Sequence, residues 1–128
     1  MRIKSKSDKR LIVEGKVNDK HTYFLIDTGA TIGLIDSDKI KKYDLEKGKS
    51  YHGTLVGAGG EINNVYYCNT FVNIEDRVIP QFLLANIHEV VESIKRQTGM
   101  EILGIIGLPQ MKMANISIDC NDNEIILE

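Results

Sequence analysis

With 128 residues, 42% hydrophobic and 27% charged side chains and a formal net charge of −2, the chain is long enough to bury one core. Its charge is too balanced for a main role in nucleic-acid binding, which needs a basic surface. The absence of low-complexity tracts argues against disorder, and the absence of any run of about 18 uncharged apolar residues excludes a membrane-spanning helix.

Residues 1–10, MRIKSKSDKR, read as a basic, solvated and flexible segment, and 11–128 as the domain. No apolar stretch of signal-peptide length follows before Glu14, Lys16, Asp19 and Lys20, so a soluble, cytoplasmic protein without membrane contact is expected. Cys68 and Cys120 form no CxxC pair, and His21, His52 and His88 have no ligand spacing with them. The expectation is two reduced thiols, no metal and no other cofactor.

Residues 11–17 and 22–26 are rich in β-formers and flank Asn18-Asp19-Lys20, a turn composition, which predicts a β-hairpin running into Asp27-Thr28-Gly29. Residues 31–35 predict another short strand. Asp36 or Ser37 then caps a short helix through about Tyr43, with Ile40 toward the core and Leu45 packing after its end. Residues 51–67 read strand, glycine cluster, strand: Gly57, Gly59 and Gly60 supply the positive φ values of a mobile hairpin tip. Residues 70–74 and 78–84 predict a further hairpin over Glu75-Asp76-Arg77.

Asn86 as N-cap, Glu89 three residues on, Ile87, Val90, Val91 and Ile94 on one face, and a terminal Gly99 predict a helix over 86–98. Covering the sheet is its simplest role, and docking a partner the alternative. Leu103 to Ile106 reads as a strand buried on both faces, Pro109 opens a brief helix through Met113, and Asn121-Asp122-Asn123 turns a last hairpin.

The chemically informative segment is Phe24-Leu25-Ile26-Asp27-Thr28-Gly29-Ala30-Thr31. An aspartate directly after an apolar β run, and before a small hydroxyl residue and a glycine, sits where a buried strand breaks into a tight turn. Its carboxylate is then fixed and partly desolvated, which raises a carboxyl pKa and suits a general acid or base. Thr28 can lock the turn by hydrogen bonding, and Gly29 lets another backbone come close. Taken alone, the same three residues also suit an ordinary Asp-Thr-Gly turn.

Over most of its length the sequence resembles the retropepsin-like aspartic proteases. FLIDTGAT is similar to their active-site loop, LIDSDKIKKYDL to the segment after it, the glycine-tipped hairpin 51–67 to their flap, and Ile105-Ile106-Gly107-Leu108 to the element beneath the loop. The helix over 86–98 departs from the smallest retroviral members. The resemblance implies an all-β, closed acid-protease barrel with two or three short helices. It also implies peptide-bond hydrolysis by a water held between two aspartates that share a proton.

This chain carries one such motif: Asp36-Ser37 lacks the glycine, and Asp119-Cys120 and Asp122-Asn123 do not fit. The resemblance therefore implies a homodimer that pairs Asp27 with its symmetry mate, supported by Thr28, Gly29 and Ala30. Gly57, Ala58, Gly59 and Gly60 would form the flap over an extended peptide, Ala58 and Gly59 bonding its backbone. Ile32, Val56, Leu83 and Ile106 are candidates for apolar pockets, with core packing the alternative, above all for Ile106. Ala30, lacking a hydroxyl to bond the aspartate, implies a dyad with a comparatively high upper apparent pKa. The competing expectation is a catalytically silent domain that uses the same groove to hold a peptide or ligand.

Overall fold

The computed structural model describes residues 1–57 and 60–128. The strands of the first half are β1 (Arg2–Lys4), β2 (Ile12–Val17), β3 (Lys20–Asp27) and β4 (Gly33–Asp36). A 3-10 turn (Ser37–Lys39) leads into α1 (Ile40–Tyr43), followed by β5 (Lys47–Ser50), β6 (Leu55–Gly57), β7 (Gly60–Ile62) and β8 (Tyr66–Cys68). Then come β9 (Val72–Ile74), β10 (Arg77–Ile79), β11 (Phe82–Ala85), α2 (His88–Thr98), β12 (Gly104–Gly107), α3 (Leu108–Met113), β13 (Ile116–Asp119) and β14 (Glu124–Leu127). This is the mostly-β, barrel-like architecture with a few short helices that the sequence implied.

Nine strands form one curled sheet in the order β10-β9-β2-β3-β12-β4-β11-β8-β5. The β2–β3 hairpin turns on Asn18 (φ 50°) and Asp19 (φ 64°), with Val17 opposite Lys20. Asparagine and aspartate tolerate two successive left-handed residues, which is what a two-residue hairpin loop demands. Two central pairings, β3 with β12 and β4 with β11, are parallel. Each joins strands distant in sequence, so neither is visible in a local reading of hairpins.

Alternation along the strands divides the core between two faces. Val13, Phe24, Ile26, Leu84 and Ile106 pack on one face, while Ile12, Leu25, Leu83 and Ile105 pack on the other with Val91 and Ile94 of α2. The helix expected over 86–98, which forms over His88–Thr98, thus covers the sheet. Its start is satisfied by Asn86 Oδ1, which accepts from the His88 N–H at 3.0 Å, and its end by Gly99 (φ 76°), whose N–H donates to the Lys95 carbonyl.

Three expectations change. The strand expected over 78–84 breaks at Pro80 and Gln81 (φ 65°) into β10, which pairs with β9, and β11, which lies between β4 and β8. Proline has no N–H to give a ladder, and the left-handed residue after it redirects the chain. In the 51–67 segment only β6 and β7 pair near the tip, Leu55 with Ile62 and Gly57 with Gly60; pairing resumes at the base between β8 and the unforeseen β5.

The N-terminal segment, expected to be flexible, instead forms β1, which pairs with β14. Arg2 meets the carboxylates of Asp119 and Glu124 at 3.0 Å each, and buried Ser5 accepts from the Ile12 N–H through its hydroxyl. An edge with open backbone groups recruits even a charged segment. Among the described residues, no helix is long and apolar enough to cross a membrane.

Asp36 ends β4 with 1% of its surface exposed, and its carboxylate accepts from the Asp38 N–H at 3.1 Å. Burial pushes its pKa above the ordinary carboxylate value, against the pull of that amide. With the folded-state pKa raised, its stabilising contribution is full below the unfolded pKa and lost as pH rises through the folded one. Asp36→Asn keeps the capping oxygen and removes the buried charge. It is expected to raise the free energy of unfolding at about pH 7 and to change it little at about pH 3. Urea titrations at the two pH values check this, and a variant less stable than wild type at neutral pH would refute it.

Candidate active site

β3 carries the apolar run Phe24-Leu25-Ile26 through the centre of the sheet and ends at Asp27, which is half-buried. Asp27 Oδ1 accepts from the Gly29 N–H at 2.9 Å, and its carbonyl accepts from the Ala30 N–H at 3.1 Å. The carboxylate is therefore held by its own turn. Thr28 and Gly29 are exposed at the turn's crest and Ala30 is half-buried. Among the described residues the Thr28 hydroxyl bonds nothing in the chain, so the turn is locked by Asp27 and backbone amides, and not by Thr28.

The loop is also held from below. Gly107, the last residue of β12, pairs with Asp27, and the Leu108 N–H donates to the Ala30 carbonyl at 3.0 Å. A Cβ at Gly107 would lie 2.8 Å from the Ala30 carbonyl oxygen and 3.2 Å from Ile32 backbone atoms. Position 107 must be glycine for the loop backbone to come this close.

Of the expected flap residues, Gly57 and Gly60 form the last rung of the β6–β7 ladder, with Gly60 at φ 109°. Ala58 and Gly59 lie outside the described residues. Leu55 and Ile62 of this hairpin and Ala30 and Ile32 of the Asp27 loop pack against the same apolar cluster, so one patch of core supports both. Val56 is 71% exposed, whereas Leu83 and Ile106 are at most 1% exposed. Leu83 and Ile106 are therefore core residues, because their strands are covered on both faces.

Sequence reasoning missed two features. A groove of about 620 Å³ runs between the hairpin and the start of α2, bordered by Ser37, Glu61, Asn63, Asn86, His88 and Val90; Asp27 is not among its lining residues. The second is Gln110, 2% exposed, whose side chain reaches Gly107. Its signal in the sequence was a glutamine three residues after the glycine that ends an apolar strand, within the first turn of a helix opened by Pro109.

A lone Asp-Thr-Gly loop at the end of a central strand, backed by a glycine-ended apolar strand within a curled sheet, defines the single-domain acid-protease class. The aspartyl protease family model matches residues 13–109, and the chain belongs to that family. No curated protein matches the sequence.

Among solved structures, EIAV protease complexed with the inhibitor HBY-793 superposes with a TM-score of 0.64 at 18% identity, covering 91% of this chain and 99% of that one. The retroviral protease-like domain of Ddi1 from Leishmania major gives 0.60 at 20% identity, covering 93% and 88%. A retropepsin-like aspartic protease from Rickettsia conorii gives 0.60 at 18% identity, covering 99% and 88%. At these identities the likeness is one of fold.

Proposed function

We propose that the chain is a homodimeric aspartic endopeptidase whose catalytic pair is Asp27 and its symmetry mate. The observation that carries this reading is the single Asp27, anchored by Gly29 and seated on Gly107, in a chain with one Asp-Thr-Gly. Half a dyad cannot share a proton, and a two-fold axis beside the loop supplies the other half.

In the dimer one carboxylate, ionised, takes a proton from the bound water as it attacks the scissile carbonyl carbon; the other, protonated, donates to the carbonyl oxygen. The carboxyl that took the water's proton then gives it to the leaving nitrogen while the other carboxylate takes a proton from a gem-diol hydroxyl, so the C–N bond breaks, the pair returns to its starting state and no covalent enzyme intermediate forms. The peptide lies extended beneath the 51–67 hairpin, pairing backbone to backbone. Gly57 and Gly60, the last described rung of the hairpin, carry no side chain that would obstruct the substrate backbone.

The test is a peptide library incubated with the purified protein across about pH 4 to 8, a range that takes in the loss of the proton the two carboxyls share. Oligomeric state is measured by sedimentation, and a statine-type inhibitor serves as control. Inhibitor-sensitive cleavage whose specific activity rises with protein concentration is expected. A verified dimer that cleaves nothing would sink the proposal and leave the silent binding domain in its place.

Ala30 gives a second check. Ala30→Ser introduces a hydroxyl that can donate to the carboxylate and favour its ionised form. The alkaline limb of the kcat/KM profile is expected to move to lower pH; an unmoved limb, or movement upward, contradicts this.

A further inference from the structure

Gln110 lies in α3 with its side chain enclosed, only 2% of the residue remaining exposed. A carboxamide tolerates such burial when both of its ends are bonded. Its Oε1 accepts from the Gly107 N–H at 2.9 Å, and its Nε2 donates to the Pro80 carbonyl at 2.7 Å. The orientation is dictated by chemistry, since a backbone N–H can only donate and a proline carbonyl can only accept. The amide also fills the space that a side chain at Gly33 would need: a Cβ there would lie 1.9 Å from Oε1 and 2.3 Å from Cδ and Nε2.

These contacts all converge on the frame of the Asp27 loop. Gly107 ends β12 and pairs with Asp27; Gly33 is the first residue of β4, where the loop re-enters the sheet; Pro80 precedes β11, whose Phe82 pairs with Gly33. Gly107 is thus held between Gln110 on one side and the backbone of Ala30 and Ile32 on the other.

We propose that Gln110 is a positioning residue, its carboxamide setting the height of Gly107 and hence the placement of Asp27 against its partner. In its kinetic consequences this rests on the protease reading. A dyad needs both carboxylates within reach of one water, and a displacement of about 1 Å in such a site can cost about 100-fold in rate.

The test uses the full chain with Gln110→Met, which keeps the length and apolar bulk and loses both hydrogen bonds, and Gln110→Glu. Active sites are counted by titration with a statine-type inhibitor, so that misfolded protein does not enter the rate. For Gln110→Met, kcat per titrated site is expected to fall at least about tenfold with KM within about threefold, because the substrate's own contacts are untouched.

In Gln110→Glu the protonated acid reproduces both bonds, its carbonyl accepting from Gly107 and its hydroxyl donating to Pro80, while the ionised form sets a charged oxygen against the Pro80 carbonyl. Activity near wild type at acid pH is expected, with a loss on raising the pH that sets in before the alkaline limb common to wild type and Gln110→Met. Wild-type kcat and pH profile per site in both variants, with only a lowered denaturation midpoint, would overturn the proposal.

Should the wild type itself cleave nothing, the protease reading fails and this one is judged by NMR. Faster hydrogen exchange at the Gly29 amide, which bonds Asp27, and a moved Asp27 carboxyl resonance in Gln110→Met support it, provided that the Asn18-Asp19 turn, at the opposite end of β3 from Asp27, stays unchanged. Unaltered Gly29 and Asp27 signals overturn it.

Discussion

Asp27→Asn is expected to reduce cleavage by at least about 10³-fold while leaving the fold intact. In a two-fold dimer one codon change removes both carboxylates, so neither the base that activates water nor the acid that protonates the carbonyl oxygen survives. Asparagine keeps the oxygen that accepts from the Gly29 N–H at 2.9 Å, so the turn should hold. The denaturation midpoint should therefore stay near that of wild type. Mixing provides a sharper form of the test. If subunits exchange, replacing part of the wild type by Asp27→Asn protein at fixed total concentration lowers activity to the square of the wild-type fraction, because each mixed dimer carries only one Asp27 carboxylate. Activity that follows the wild-type fraction linearly would mean that each chain works alone, and the homodimeric mechanism would fail.

Phe24→Ala should bring the largest loss of stability, about 3–5 kcal/mol. Phe24 is 0% exposed, its ring lies 5.8 Å from that of Phe82 at an interplanar angle of 40°, and it shares a cluster with Ile26, Leu84 and Ile106. The ring also fits against Gly15, where a Cβ would lie 3.0 Å from its edge. Truncation leaves a cavity walled by β2, β3 and β11, strands paired along their length and with little room to collapse. Against a total of about 5–15 kcal/mol this is a large fraction, and because Phe24 lies on the strand that ends at Asp27, activity should fall with folded population. Urea unfolding with an unchanged m-value measures the loss. Val56→Ala, at a position 71% exposed, is the matched control, expected within about 0.5 kcal/mol of wild type. A cost below about 1.5 kcal/mol for Phe24→Ala would show that the core repacks around the gap.

Where an element is specified by its own residues, the sequence was legible. Asn18-Asp19 carries the two left-handed φ values of its hairpin, Gly99 ends α2, and Gly104-Ile105-Ile106-Gly107 is apolar enough to be a strand covered on both faces. Asp27 was legible for the same reason: apolar run, carboxylate and glycine are contiguous, and the hydrogen bond to the carboxylate comes from Gly29 two residues on. By contrast, β5, with the sequence Lys-Gly-Lys-Ser, has neither alternation nor β-branched residues and is a strand because β8 offers it an edge. β1 follows β14 for the same reason.

By itself, then, the sequence determined the lone Asp-Thr-Gly turn, the alternating strands and the helix that covers them, because φ preference, capping and periodicity act within a few residues. Only the tertiary structure decided which strands run parallel at the centre, that Pro80 and Gln81 divide one apolar run between two places in the sheet, and that Gln110 reaches Gly107 and Pro80 beside Gly33. Those outcomes depend on pairing and burial between segments tens of residues apart, where the free energy belongs to the assembled core and not to any local stretch of chain.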